Sequence, residues 1–263
     1  MSSKESTLII GSAGQVGRAL FRAMKHKFNV YKQDIVKIPC KEGFKYDKAD
    51  PKQASGLITH ICIPFSDKFE EEITKVSETY NPSLMIIHSS INPGTTKLLF
   101  DKGLKVVHSP TFFDERDFRT IINWRKPIGF DDSDLGVIAM KHISQYLNCV
   151  PVQGSKNTEL AEICLGLYCS VCVGVCQEIG TIFKAMDCSY DIMTGMIDEH
   201  NMGCNQSGKP REMLMNPVDK NKIKNDYRIE NINLLPINLV SPYFKLTVKS
   251  NQLFKERTGG DNV

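Results

Sequence analysis

The chain opens on a short apolar run, Thr7 to Ile10, that breaks at once into the glycine-rich GSAGQVG. Val16, Ala19, Leu20, Ala23 and Met24 then recur at helical spacing. A second β-rich run, Phe28 to Ile35, carries Asp34 near its end. The alternation continues. A buried strand is predicted at Leu57 to Ile63, closed by Pro64, and further strands at Leu84 to His88 and at Lys105 to His108. Short strands are predicted at Pro127 to Phe130 and at Val150 to Val152. Helices are predicted over Phe65 to Tyr80, with Phe69, Ile73 and Val76 on one face, and over Ser133 to Leu147. Strands alternating with helices predict an α/β fold, a Rossmann-like, doubly wound and mostly parallel sheet.

The pattern changes at about Ser155. From Asn157 to Met186, Leu160, Ile163, Cys164, Leu167, Val171, Val175, Ile179, Ile182 and Phe183 keep steps of three and four for about eight turns. Ser155 and Asn157 both suit a helix N-cap. Such a helix exceeds what a crossover in a small sheet needs. The expected organisation is therefore a sheet domain over residues 1–154 and a smaller all-helical domain over 155–263.

Composition narrows the function classes. With 41% hydrophobic and 24% charged residues, the 263-residue chain has material for a real core. Lys and Arg number 33 against 30 Asp and Glu, and no like-charge block occurs, so neither nucleic acid nor an anionic membrane is expected as a partner. The stretch Ile163 to Gln177 carries no charge but is about 15 residues long, short of the roughly 20 a membrane span needs. The start, MSSKES, lacks a signal-peptide layout. Nine cysteines at irregular spacing do not read as a disulfide framework, and the lone Cys169–Cys172 pair has no second ligand pair, so no metal is expected. Reduced thiols in the cytoplasm fit this usage.

Strand, glycine turn, helix, strand and acid is the order of a dinucleotide-binding βαβ unit. Gly11 allows the tight turn, Gly14 a close approach to a pyrophosphate, and Gly17 close packing of helix on sheet. The first helical residues, Gln15 and Val16 with Gly17, offer free N–H groups to phosphate. Asp34 suits the ribose hydroxyls and repels a 2′-phosphate, so NAD is expected over NADP, with Lys32 keeping NADP as the lesser alternative. None of the eight tyrosines has a lysine four residues later, which disfavours the short-chain dehydrogenase chemistry.

Three further segments carry a resemblance. SSINPGTT (Ser89 to Thr96), HSPTFFDERDF (His108 to Phe118) and TELAEICLGLYCSVCVGVCQEIG (Thr158 to Gly180) follow the glycine turn in that order. Together they resemble the UDP-glucose/GDP-mannose dehydrogenase family within the 6-phosphogluconate-dehydrogenase-like superfamily, over residues 7 to 200. The resemblance implies a small-molecule substrate, cofactor contacts at Pro64 and Ser89, a hydroxyl near the nicotinamide at Ser90, and an acid at Glu115. Glu159 matches the glutamate that opens the family's helix motif, and Gln177 and Glu178 its terminal pair. It also implies a homodimer through the long helix, residues 157–186, whose apolar breadth suits an interface. Three positions depart from the family. Glu162 stands at the catalytic lysine and brings no positive charge for an oxyanion. Gly166 stands at the catalytic asparagine. Met215 stands at the nucleophilic cysteine, with Cys204 as an off-register thiol, and a thioether cannot capture an aldehyde. Those enzymes also continue into a further domain that closes over the sugar nucleotide, and no such domain is expected within these 263 residues.

His88 and His108 lie at predicted strand ends, the edge where open α/β sheets bind ligands. His108 is the stronger general-base candidate. His26, His60, His142 and His200 read as surface or packing residues. The expectation is an NAD-dependent oxidoreductase acting on a CH–OH group, with His108, Ser90 and Glu115 as catalytic candidates. Two alternatives stay open: a catalytically inactive NAD-binding module, and a single-step dehydrogenase similar to prephenate dehydrogenase.

Overall fold

The computed structural model describes residues 4–35, 49–111, 121–122, 124–193, 195–196, 199 and 202. The chain divides into two compact units, Met1–Tyr168 and Cys169–Val263. The first unit holds β1 (Ser6–Ile10), α1 (Gln15–Met24), β2 (Asn29–Gln33), α2 (Pro51–Ala54), β3 (Ile58–Ile61), α3 (Phe69–Tyr80) and β4 (Leu84–Ile87). It continues with α4 (Thr95–Asp101), β5 (Val106–His108), β6 (Lys126–Phe130), α5 (Ser133–Ile143) and β7 (Cys149–Gln153), then the start of α6 (Ser155–Ala185). No helix among the described residues is long and apolar enough to cross a membrane.

The strands form one seven-stranded sheet in the order β2-β1-β3-β4-β5-β6-β7. Every pairing is parallel except β5 with β6, which meet antiparallel at His108 and Gly129. The expected doubly wound, mostly parallel sheet is therefore the observed fold. The chain leaves β1 to one side for β2 and crosses to the other side for β3. The gap between the C-terminal ends of β1 and β3 is thus the topological switch point, where such sheets bind ligands.

The two-residue period of the strands sorts their side chains into two cores. Leu8, Ile10, Ile61, Met85, Ile87 and Val106 pack with Ala54 of α2, Phe69 and Ile73 of α3, and Leu99 of α4. Ile9, Leu84, Ile86, Val107 and Ile128 pack with Ala19, Leu20 and Met24 of α1 and Ala139 and Ile143 of α5. Strands covered on both faces are mostly apolar, which is why LMII reads as an unbroken run and LITHICI is interrupted only by Thr59 and His60.

Two helix boundaries differ from the periodicity. The helix expected from Phe65 begins at Phe69. The Ser66 carbonyl and hydroxyl take up the Phe69 and Lys68 N–H groups and turn the chain first. The helix expected to reach Leu147 ends at Ile143, and Leu147 still packs into the core from the turn that follows.

Candidate functional site

The glycine turn is built from backbone requirements. Gly11 has φ +79°, and a Cβ there would lie 2.4 Å from the Cys62 carbonyl oxygen at the end of β3. A Cβ at Gly17 would lie 2.3 Å from the Gly11 oxygen. A side chain at either residue would force the backbone to shift. Gly14 is different: its φ of −67° and ψ of 168° suit any residue. A Cβ there would meet nothing nearer than the Gly11 oxygen at 3.4 Å. Nothing in the chain itself requires a glycine at 14, whereas close approach of a ligand would.

The turn is tied to the end of β2. Gly11 and Ser12 donate their N–H groups to the Gln33 carbonyl at 2.9 and 3.3 Å. Ala13 donates to Asp34 Oδ2 at 2.8 Å. Asp34 therefore sits against the turn where the sequence places it, and one of its oxygens holds the turn in shape. No side chain caps α1. The N–H groups of its first turn, at Gln15, Val16 and Gly17, have no carbonyl of their own helix to bond, and the helix dipole adds positive potential there. Beyond the ends of β3 and β4, the Ser89 hydroxyl donates to the Ile63 carbonyl at 2.5 Å. That bond joins the end of β4 to the segment carrying Pro64.

Further along the same edge, three distant segments meet. The Ser90 hydroxyl donates to Glu162 Oε1 at 2.9 Å. Glu162 Oε2 lies 3.5 Å from His108 Nε2, is buried, and takes no hydrogen bond. The Thr158 hydroxyl donates to the Ser155 carbonyl at 2.8 Å and so accepts from His108 Nδ1, also at 2.8 Å. His108 Nε2 faces only acceptors: the Ser89 carbonyl at 3.3 Å and Glu162. His108 and Glu162 thus face each other, and the exposed Ser90 hydroxyl holds the other oxygen of the same carboxylate. Thr158, Glu159 and Glu162 all come from the opening turns of α6. Glu159 is fully buried and accepts from the Gly94 and Thr96 N–H groups at 2.5 and 2.8 Å. It caps α4 and fixes the PGTT turn against α6.

The candidates thus fall into three groups. Gly11, Gly14, Gln15, Val16, Gly17, Asp34, Pro64 and Ser89 gather around the switch point. Ser90 and His108 meet on Glu162, which the family resemblance marks as a loss and which the structure makes the centre of the cluster. Glu115, Cys204 and Met215 lie outside the described residues, as do the side chains of Gln177 and Glu178. Among the described residues no group of His, Cys, Asp and Glu is arranged to hold a metal ion.

Sequence reasoning missed a second polar chain. Of the histidines expected at the surface or in packing, His60 and His142 are buried in the core. His60 Nδ1 lies 2.9 Å from His88 Nε2, and His60 Nε2 lies 2.9 Å from His142 Nε2. His88 Nδ1 lies 2.6 Å from the Ser109 carbonyl. Lys126, also buried, donates to the carbonyls of Ser109 and Pro110 at 3.1 and 2.8 Å and to Thr111 Oγ1 at 2.6 Å. Burial holds His60 and His88 well below the usual imidazole range, lowers His142 to about 4, and lowers Lys126 to about 7.

No protein-family model matches the chain, and no curated protein matches it in sequence. Its fold is that of known dehydrogenases and reductases. A ternary complex of GDP-mannose dehydrogenase from Pseudomonas aeruginosa superposes with a TM-score of 0.66 at 17% identity, covering 97% of this chain and 71% of that one. An imine reductase from Myxococcus stipitatus in complex with NADP+ superposes with a TM-score of 0.68 at 12% identity, covering 96% and 95%. The 3-hydroxyisobutyrate dehydrogenase of Mycobacterium tuberculosis gives 0.53 at 13% identity, covering 96% and 94%.

Proposed function

We propose that this protein is an NAD-dependent oxidoreductase that moves one hydride per turnover to or from a CH–OH carbon. The substrate would be a sugar-like or hydroxy-acid molecule. One juxtaposition carries the reading: a dinucleotide-type glycine turn and an acid–base cluster share the C-terminal edge of one sheet. The nicotinamide, when bound, supplies or takes the hydride. Gly11, Gly14 and Gly17 with the N–H groups of α1 would hold the pyrophosphate, Asp34 the ribose hydroxyls, and Pro64 and Ser89 would flank the cofactor at the switch point. The charge of Asp34 favours NAD over NADP. Lys32, the residue that would favour NADP, stands over the Phe21 ring, 4.9 Å from its centroid.

The chain's own part is the proton. In the reductive direction the His108–Glu162 pair replaces the proton that the Ser90 hydroxyl gives to the developing alkoxide. In the oxidative direction the same pair takes it back. His108, 3.5 Å from the Glu162 carboxylate, takes the proton-handling role that no lysine at 162 can fill. We also propose a homodimer through residues 157–186, in line with the exposed Leu160 and Leu167. A reducing, cytoplasmic setting fits the free thiols of Cys62, Cys149, Cys164, Cys176 and Cys188.

NADH is expected to raise the thermal midpoint of the wild type but not that of Gly14→Asp. Equal behaviour of the two overturns the cofactor assignment. Hydroxy acids and nucleotide sugars, screened by absorbance of the reduced nicotinamide, should yield a substrate oxidised by one hydride equivalent. Binding without any turnover would make the chain a cofactor-binding module. A monomer at micromolar concentration in light scattering would overturn the dimer.

A further inference from the structure

On the face of the sheet covered by α1 and α5, His60 and His88 occupy positions that the alternation of β3 and β4 would fill with apolar side chains. His142 reaches them from α5. Their relative exposures are 0%, 1% and 4%, so the ring of α5 is the one nearest solvent. We propose that His142, His60, His88, Thr111 and Lys126 form a proton relay leading from the α5 side of the sheet to the edge that holds the candidate site. Its purpose, supplying protons to a reductive reaction, rests on the oxidoreductase reading; its existence does not.

The order of partners sets the direction. The Ser109 carbonyl can only accept, so His88 Nδ1 carries hydrogen and His88 Nε2 accepts. His60 Nδ1 therefore donates to His88, and His60 Nε2 accepts from His142 Nε2. His142 Nδ1 is left as the acceptor that begins the chain. All three rings are neutral, and every donor points toward the site.

A proton arriving at His142 Nδ1 lets its Nε2 proton pass to His60 Nε2. The His60 Nδ1 proton passes to His88 Nε2. The His88 Nδ1 proton passes to Thr111 Oγ1, 3.3 Å away, as the Thr111 hydroxyl proton passes to Lys126 in its amine form. One proton enters, one ammonium forms, no electrons move, and each ring ends as its other tautomer, a transient state in which the emptied His88 Nδ1 faces the Ser109 carbonyl until the tautomers return. As an ammonium, Lys126 has three N–H groups for its three acceptors, so both of its states are accommodated. A reduction consumes one proton per hydride, and the inward polarity matches that demand.

The surroundings suit a relay. Lys126, lowered to about 7, changes state near neutral pH while the rings stay neutral. Burial pushes the Cys62 thiol up to about 12, and it raises Tyr146 and Cys149 as well, so these neighbours stay uncharged. Glu5 acts on the His142 end, and Glu162 and Cys62 act on Lys126. His108 acts on His88.

Long-range nitrogen-15 NMR of the imidazoles near pH 7 tests the order directly on the wild type. The expected tautomers are Nδ1–H at His60 and His88 and Nε2–H at His142. Solvent exchange of the His60 and His88 ring protons should be about 100-fold faster than that of the Ile61 and Ile86 backbone amides beside them. A folded His142→Gln variant should slow that ring exchange about tenfold or more. Reversed tautomers, ring protons as protected as those amides, or an unchanged rate in the folded variant would each overturn the relay. An NADH titration of the same sample keeps the readings apart. Fast exchange without binding supports the relay and sinks the enzyme reading, whereas binding with protected rings sinks the relay alone.

Discussion

The glycine turn and the Ser90–His108–Glu162 cluster occupy one edge of one sheet and are made in opposite ways. The turn is local. Gly11, Gly17 and Asp34 lie within two dozen positions of each other, and what they satisfy is backbone geometry: a positive φ, two close approaches and an N–H group held by a carboxylate. The cluster is long-range. Ser90 and Glu162 are 72 residues apart, and they meet because β4, β5 and the start of α6 end at the same place. A motif built on backbone geometry tolerates almost no substitution but is easily read. A motif built on convergence tolerates chemical variation at each position, because function depends on what meets what.

Four measurements bear on that contrast. The largest effect is expected from Gly17→Val. Its side chain would be driven into the Gly11 carbonyl, 2.3 Å from the Cβ position, and denaturant unfolding should register a loss of more than about 3 kcal/mol. A near-neutral result would mean that the turn has slack that the backbone geometry denies.

Acid comes next. His60, His88 and His142 have folded-state pKa values below the unfolded value near 6.5, so the unfolded chain binds more protons as pH falls. The contribution of these rings is fully present above about pH 6.5 and is lost as pH falls toward about 4. His142 alone accounts for about 3 kcal/mol, to order of magnitude. Flat stability across that window would show that the rings are not held neutral in the core.

Glu162→Gln tests the convergent cluster. It keeps the Ser90 contact but cannot exchange a proton with His108, so turnover should fall about 100-fold while the NADH dissociation constant stays the same. Equal loss of binding and turnover would place Glu162 in the cofactor site instead. The smallest effect is expected from Glu159→Gln, which weakens two bonds to the N-terminus of α4 at a cost of about 1 to 2 kcal/mol. If turnover also drops while the fold holds, the PGTT turn positions Ser90 as well as capping a helix.

Much of this site could be read in advance, but unevenly. His108 and Ser90 were legible individually, one as a strand-end histidine and the other as a hydroxyl in a PGTT-type turn. Glu162 was legible only as a missing lysine. Its use as a proton-sharing partner depends on where His108 points, and that depends on Thr158 one turn earlier in α6. The burial of His60 follows from period two: it shares one face of β3 with Ile58 and Cys62 in a strand buried on both faces. His142 likewise falls one residue before the core residue Ile143 on the inner stripe of α5. Lys126 gave no signal, since a lysine at the start of a strand ordinarily reads as solvated.

The sequence by itself determined the alternation of strands and helices, the doubly wound sheet, and the turn at its switch point. Each of these rests on period, propensity or backbone conformation, which act over a few residues. Only the tertiary structure decided that a glutamate joins Ser90 to His108, and that three histidines and a lysine line up through the core. A side-chain hydrogen bond depends on the position and direction of both partners to within a few tenths of an ångström. Strands and helices from distant parts of the chain settle those positions only when they pack.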